Sequence, residues 1–153
     1  MPNWLIHLAA AWIIAEIFNL KEYRSVFLLG AVLPDAKTFA MALAPFTGIT
    51  NAYALAVPVH TPAGTALLSV FTASLFNEKF KIIFSLLIIG ALTHFALDLT
   101  MYPYYGADHY MLFYPLSWTQ FGISLYSVTE YLTPILVILA LSVTLIRRRV
   151  TES

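Results

Sequence analysis

The sequence predicts an all-α fold, a polytopic membrane helical bundle of about five transmembrane helices with a re-entrant or interfacial outer segment. Three observations predict it. Apolar residues are 60% of the chain and charged residues 10%, with a mean hydropathy of +0.80, whereas soluble domains are near half apolar and about a quarter charged. Apolar windows of roughly 20 residues, the length that crosses a hydrocarbon core of about 30 Å, recur along the chain. Basic residues also fall at alternate window ends. The length of 153 residues suits a single integral membrane domain, residues 1–153.

The windows run over residues 4–20, 26–46, 61–76, 82–99 and 128–146. The second is broken near 34, because Pro34 removes a backbone hydrogen bond and clashes with the preceding turn. It is followed by Asp35 and Lys37, so this window reads as two half-helices. The fifth stops at Arg147, Arg148 and Arg149, a stop-transfer and topology signal. No positive charge precedes Trp4, which argues against a cleaved secretory signal.

Lys and Arg in short loops stay on the cytoplasmic side. Lys21 and Arg24 follow the first window, Lys79 and Lys81 the third, and the arginine triplet the fifth. The expected topology is therefore an integral protein of the cell membrane, with its N-terminus outside and its C-terminus cytoplasmic. The opposite face carries Tyr102, Tyr104, Tyr105, Tyr110, Tyr114, Trp118 and Tyr126, rings that favour the headgroup level. Eight basic against eight acidic residues provide no field for nucleic acid, and with no cysteine any metal must rest on His and carboxylate.

Ionisable side chains inside a membrane mark function by default. At 1.5 Å per residue, His94 lies about 20 Å and Asp98 about 25 Å from Lys81, and Asp35 about 16 Å from Arg24. His7 and His60 enter from the same outer side, as do Asp108 and His109 in the outer segment. All four histidines are thus expected in one leaflet. His94 and Asp98, four apart, share a helix face. Together with Asp35 and His60 they form a His/His/Asp/Asp set suited to Zn²⁺, with Mn²⁺ or Fe²⁺ as alternatives. The simpler reading is a His94–Asp98 hydrogen bond that only stabilises the helix. Asp108 and His109 are either outer ligands or wetted loop residues. Lys37 pairs with a charge or meets solvent. Glu130 caps its helix, Glu16 snorkels or pairs with basic neighbours, and Thr93 and Thr100 either orient ligands or bond backbone.

Four short motifs carry a resemblance: Gly30-Ala-Val-Leu-Pro34-Asp35, His60-Thr-Pro, Thr93-His94-Phe-Ala-Leu-Asp98-Leu-Thr100 and Phe113-Tyr-Pro115-Leu. Over about residues 1 to 118 the chain resembles the membrane-bound metal-dependent hydrolases, the YdjM-like proteins, a family distantly similar to zinc-dependent phospholipase C and the single-strand zinc nucleases. The resemblance implies phosphoester hydrolysis at a metal centre of one or two ions. His60, His94, Asp35 and Asp98 would hold one ion, and Asp98 would bridge to a second that includes His7. Two positions depart from the family pattern: Lys37 stands where a second acid is common, and His60-Thr-Pro-Ala-Gly-Thr replaces a His-Arg-Gly-x-Thr-His-like run.

On this reading a metal lowers the pKa of a bound water and polarises a phosphoryl oxygen. Asp35 or Asp98 acts as general base and Lys37 neutralises phosphate charge. The substrate is a membrane lipid, a phospholipid or lipid-linked phosphoester of the outer leaflet. Two other classes stay open: a carrier for a metal ion or proton through the broken second helix, and a structural membrane protein stabilised by metal.

Overall fold

The computed structural model describes residues 4–48, 57–76, 79–100, 111–119, 121–123 and 132–152. Among them the regular elements are helical: α1 (Trp4–Ile17), α2 (Arg24–Val32), a 3₁₀ turn (Leu33–Asp35), α3 (Ala36–Thr47), a second 3₁₀ turn (Val57–His60), α4 (Pro62–Ser74), α5 (Phe80–Thr100) and α6 (Leu132–Glu152). The second apolar window parts at Pro34. The ring sits inside the 3₁₀ turn, which separates α2 from α3. The fifth window is helical from Leu132, where the described residues resume, and continues through the arginines to Glu152, because arginine is a good helix former whatever its hydropathy.

Helix α5 is the axis of the bundle. Its 21 residues extend about 31 Å, and α2, α4 and α1 pack along it. The approach of α2 is the closest. A Cβ built on Gly30 would run into the Leu87 carbonyl, and one on Gly90 into the Phe27 carbonyl and to 2.8 Å from the Ala31 nitrogen. The two backbones meet where neither residue has a side chain, the device that lets membrane helices approach closely. Ala11, Ala15, Phe27 and Ala31 fill one side of this crossing and Ala73, Ile83 and Leu87 the other.

One end of the bundle gathers the basic residues. Lys79 lies 4.0 Å from Glu22, and buried Glu16 meets Arg24 and, at 3.9 Å, Arg147. The other end holds the break at Pro34, the His60 turn and the end of α5. There Ile123 N–H donates to the Leu99 carbonyl at 2.7 Å, docking residues 121–123 on that end.

Among the described residues, by length and composition, one helix, α5, is long and apolar enough to cross a membrane; α1 and the stretch Pro134–Arg147 are apolar but shorter. The 9 residues of α2 and 12 of α3 extend only about 14 and 18 Å. Five full spans therefore exceed what helix lengths alone establish. Large apolar side chains nevertheless face outward on several helices, among them Ile17, Phe46, Leu67, Phe71, Leu92, Ile138 and Leu145.

Gly90→Ala is expected to push α2 off α5 and cost about 1–3 kcal/mol. Thermal unfolding of the purified variant measures it, and an unchanged midpoint would mean that the crossing is not tight.

Candidate metal centre

Five ionisable side chains meet at the end of the bundle opposite the arginines. α1 supplies His7. The 3₁₀ turn forced by Pro34 ends on Asp35, so that carboxylate enters from a break rather than from a regular helix face. His60 closes the second turn and is fixed from below by three threonine bonds. Thr61 Oγ1 donates to the Pro58 carbonyl at 2.7 Å and accepts from Gly64 N–H at 3.1 Å, while Thr65 Oγ1 donates to the Val59 carbonyl at 2.9 Å. Thr61 is thus the N-cap of α4. Gly64 is required there because a Cβ would collide with the Pro58 carbonyl. α5 supplies His94 and Asp98 on one face.

The geometry is that of a small polyhedron. His60 Nε2, His94 Nε2 and Asp98 Oδ2 form a triangle with sides of 3.1, 3.1 and 3.1 Å. Asp35 Oδ1 stands over it, 3.6 Å from His60 Nε2 and 3.9 Å from His94 Nε2. Four N and O ligands placed tetrahedrally at about 2.0–2.1 Å from one ion are about 3.3–3.4 Å apart. These edges bracket that value.

Protonation states follow from the neighbours. His94 Nδ1–H donates to the Ala31 carbonyl at 2.7 Å, which leaves Nε2 a bare lone pair aimed at the centre. Asp98 is 1% exposed, and its oxygens face three imidazole nitrogens at 3.1, 3.1 and 3.4 Å. A buried carboxylate set among imidazoles needs protons or a cation between them. The donor set therefore fits a divalent ion, and the buried His/Asp group could hold one.

His7 belongs to an overlapping group with His94 and Asp98. Its Nε2 is 3.4 Å from Asp98 Oδ1, and its ring stacks on His94 with centroids 3.7 Å apart and an interplanar angle of 15°. His94 has one free nitrogen, so the two groups cannot both use it for separate ions. Asp35 is the most accessible member, with its side chain 15% exposed. Lys37 is half-buried on the first turn of α3, near enough for the charges of Asp35 and Asp98 to act on it.

Other candidates have plainer roles. Thr93 and Thr100 donate to the Gly90 and Leu97 carbonyls at 2.7 and 2.7 Å, so they bond their own helix. Glu16 is paired with arginines. Asp108, His109 and Glu130 lie outside the described residues. Sequence reasoning passed over Thr61 and Thr65; the run His60-Thr-Pro-Ala-Gly, a capping threonine before a proline at the first helical position, was the signal for them.

No family model, curated protein or solved structure matches the chain.

His60→Ala or His94→Ala is expected to abolish stoichiometric metal, a larger effect than the roughly 10–100-fold loss typical when only a partner of a ligand is changed. His7→Ala should retain one ion per chain. Elemental analysis after dialysis reads both outcomes, and equal loss in all three variants would put His7 among the essential ligands.

Proposed function

We propose that the protein is a membrane-embedded, metal-dependent hydrolase that cleaves a phosphoester bond of a lipid or lipid-linked substrate. The observation that carries this reading is the convergence of His60, His94 and Asp98 at mutual distances of 3.1 Å, with the solvent-reached carboxylate of Asp35 3.6 Å from His60. Zn²⁺ suits two imidazoles and two carboxylates best, with Mn²⁺ or Fe²⁺ next. Bound there, the ion supplies a Lewis acid and a water of lowered pKa. A second ion would rest on His7 and Asp98 Oδ1 alone and would be the more weakly held.

The side chains divide the remaining work. His60, His94 and Asp98, mutually closest and most buried, form the fixed base of the site. Asp35, further out and reached by solvent, takes a proton from an attacking water. Lys37, beside it on α3, offsets negative charge on a phosphoryl group. Asp98 stays ionised as a ligand, which leaves the general-base role to Asp35.

The membrane placement is supported by the span-length α5 and the outward-facing Ile17, Phe46, Leu67, Phe71 and Leu92. It is also supported by the gathering of Arg24, Lys79 and Arg147 at the end away from the histidines, with Lys37 standing outside that pattern. The positive end faces the cytoplasm and the metal centre the outer leaflet, at the depth of phospholipid phosphates. The chain has no cysteine, so Ser153→Cys gives a single reporter. It should react with an impermeant maleimide only after the cell membrane is opened, and labelling of intact cells would reverse the orientation.

A second reading, a metal bound only for stability, is favoured by one observation: Asp35 lies near enough to His60 and His94 to close the site as a fourth ligand, as in structural zinc sites, which would leave no corner for water. Asp35→Asn separates the two. On the hydrolase reading, release of phosphorylated headgroup from phospholipid vesicles falls at least about 100-fold while the fold and the ion at His60 and His94 persist. A variant that unfolds on metal loss, from a parent without hydrolytic activity, supports the structural role. Transport is disfavoured because Ala11, Ala15, Phe27 and Leu87 pack the described interior between the centre and the basic end.

A further inference from the structure

A Ser or Thr hydroxyl inside a helix ordinarily returns to the carbonyl three or four residues back in the same helix. Thr72, Thr93, Thr100, Ser142 and Thr144 all do so, at 2.7–2.8 Å. Thr65 does not. It is 1% exposed, and its Oγ1 donates at 2.9 Å to the Val59 carbonyl, six residues back and outside α4. The Thr61 carbonyl, four residues back, takes the Thr65 N–H at 2.8 Å.

The Val59 carbonyl belongs to the peptide unit that carries the His60 N–H. That unit is planar, so a bond to its oxygen sets its tilt and limits the directions in which the His60 side chain can leave the backbone. The peptide before it is held in the same way, by Thr61 Oγ1 on the Pro58 carbonyl at 2.7 Å. Both successive peptides ahead of His60 are therefore clamped to the first turn of α4. The imidazole then stands edge-on to the His94 ring, with centroids 5.2 Å apart and an interplanar angle of 71°, and edge-on to Phe95 at 5.8 Å. Thr61 also caps α4, so its loss would weaken the helix itself. Thr65 lies inside the helix and caps nothing.

We infer that Thr65 is a positioning residue of the metal centre: through the Val59–His60 peptide it holds the imidazole at the corner shared with His94 and Asp98 before an ion is bound. Without this bond the Val57–His60 turn would be ordered only as the ion binds, and that ordering is subtracted from affinity. The inference rests on the metal centre described above, not on hydrolysis or on the membrane placement.

The test is the affinity of the purified chain for Zn²⁺, read by competition with a chromophoric chelator. Thr65→Val keeps the shape of the side chain and removes the donor, and is expected to weaken binding about 10–100-fold. Thr65→Ser restores the donor and should restore the affinity. Thr72→Val, which removes an ordinary return bond from the same helix, should leave it unchanged. With Co²⁺ in place of Zn²⁺, Thr65→Val should also alter the visible absorption of the bound ion, because one ligand is no longer held in place. A threonine that merely stabilised α4 would lower the thermal midpoint of the metal-free protein and leave the affinity of the folded chain as it was; that combination overturns the inference, as does equal weakening by Thr72→Val. If Thr65→Val does not fold, Thr65→Ala, whose smaller side chain admits water to the Val59 carbonyl, is held to the same expectation. A parent chain that takes up no stoichiometric ion refutes the metal centre itself, whereas a parent and a Thr65→Val variant that bind one ion equally well refute the role of Thr65 alone.

Discussion

Asp98 is a carboxylate on the central helix, almost without access to solvent and faced only by imidazoles. Taking such a charge out of water costs several kcal/mol even after relaxation, and the rest of the centre is arranged around that cost. Three imidazoles from three segments approach its oxygens, one of them with its proton drawn off by a backbone carbonyl. None of these segments could hold its histidine alone: α1 is packed by small residues, the His60 turn by threonine bonds, and α5 by glycine contacts with α2. The architecture is thus more demanding at the centre than a hydrophobic bundle needs to be.

Much of this was legible in the chain. Spacing four apart puts His94 and Asp98 on one face, and Pro34 fixes a break just before Asp35, both from local backbone rules. The gathering of histidines at one end followed from counting rise per residue between basic markers. Two things were not legible. The depth at which His7 meets Asp98 depends on how α1 leans on α5, a packing matter decided by Ala11 and Ala15, and small apolar residues look alike in a hydropathy window. Helix ends were blurred for the same reason: Arg147 to Arg149 end an apolar run but not a helix.

The two ends of the bundle solve opposite problems. At one end carboxylates and imidazoles are arranged to receive a cation; at the other, two arginines close on Glu16. Between them the described interior is built of small and apolar residues such as Ala11, Ala15, Phe27 and Leu87, with no ionisable side chain linking one end to the other. That separation allows α6 to be anchored by polar contacts without disturbing the side chains of the centre.

The Gly30–Gly90 crossing and the Ala31–His94 bond lie on the same stretch of α2. With no side chains between the backbones, the carbonyl that receives the His94 proton is set by helix register alone. Sliding α2 by one residue along α5 would take that carbonyl away and free the imidazole to carry its proton on the other nitrogen. A purely mechanical displacement would then appear as a tautomeric one, converting a ligand into a donor without any change in covalent structure or in the acidity of the surroundings.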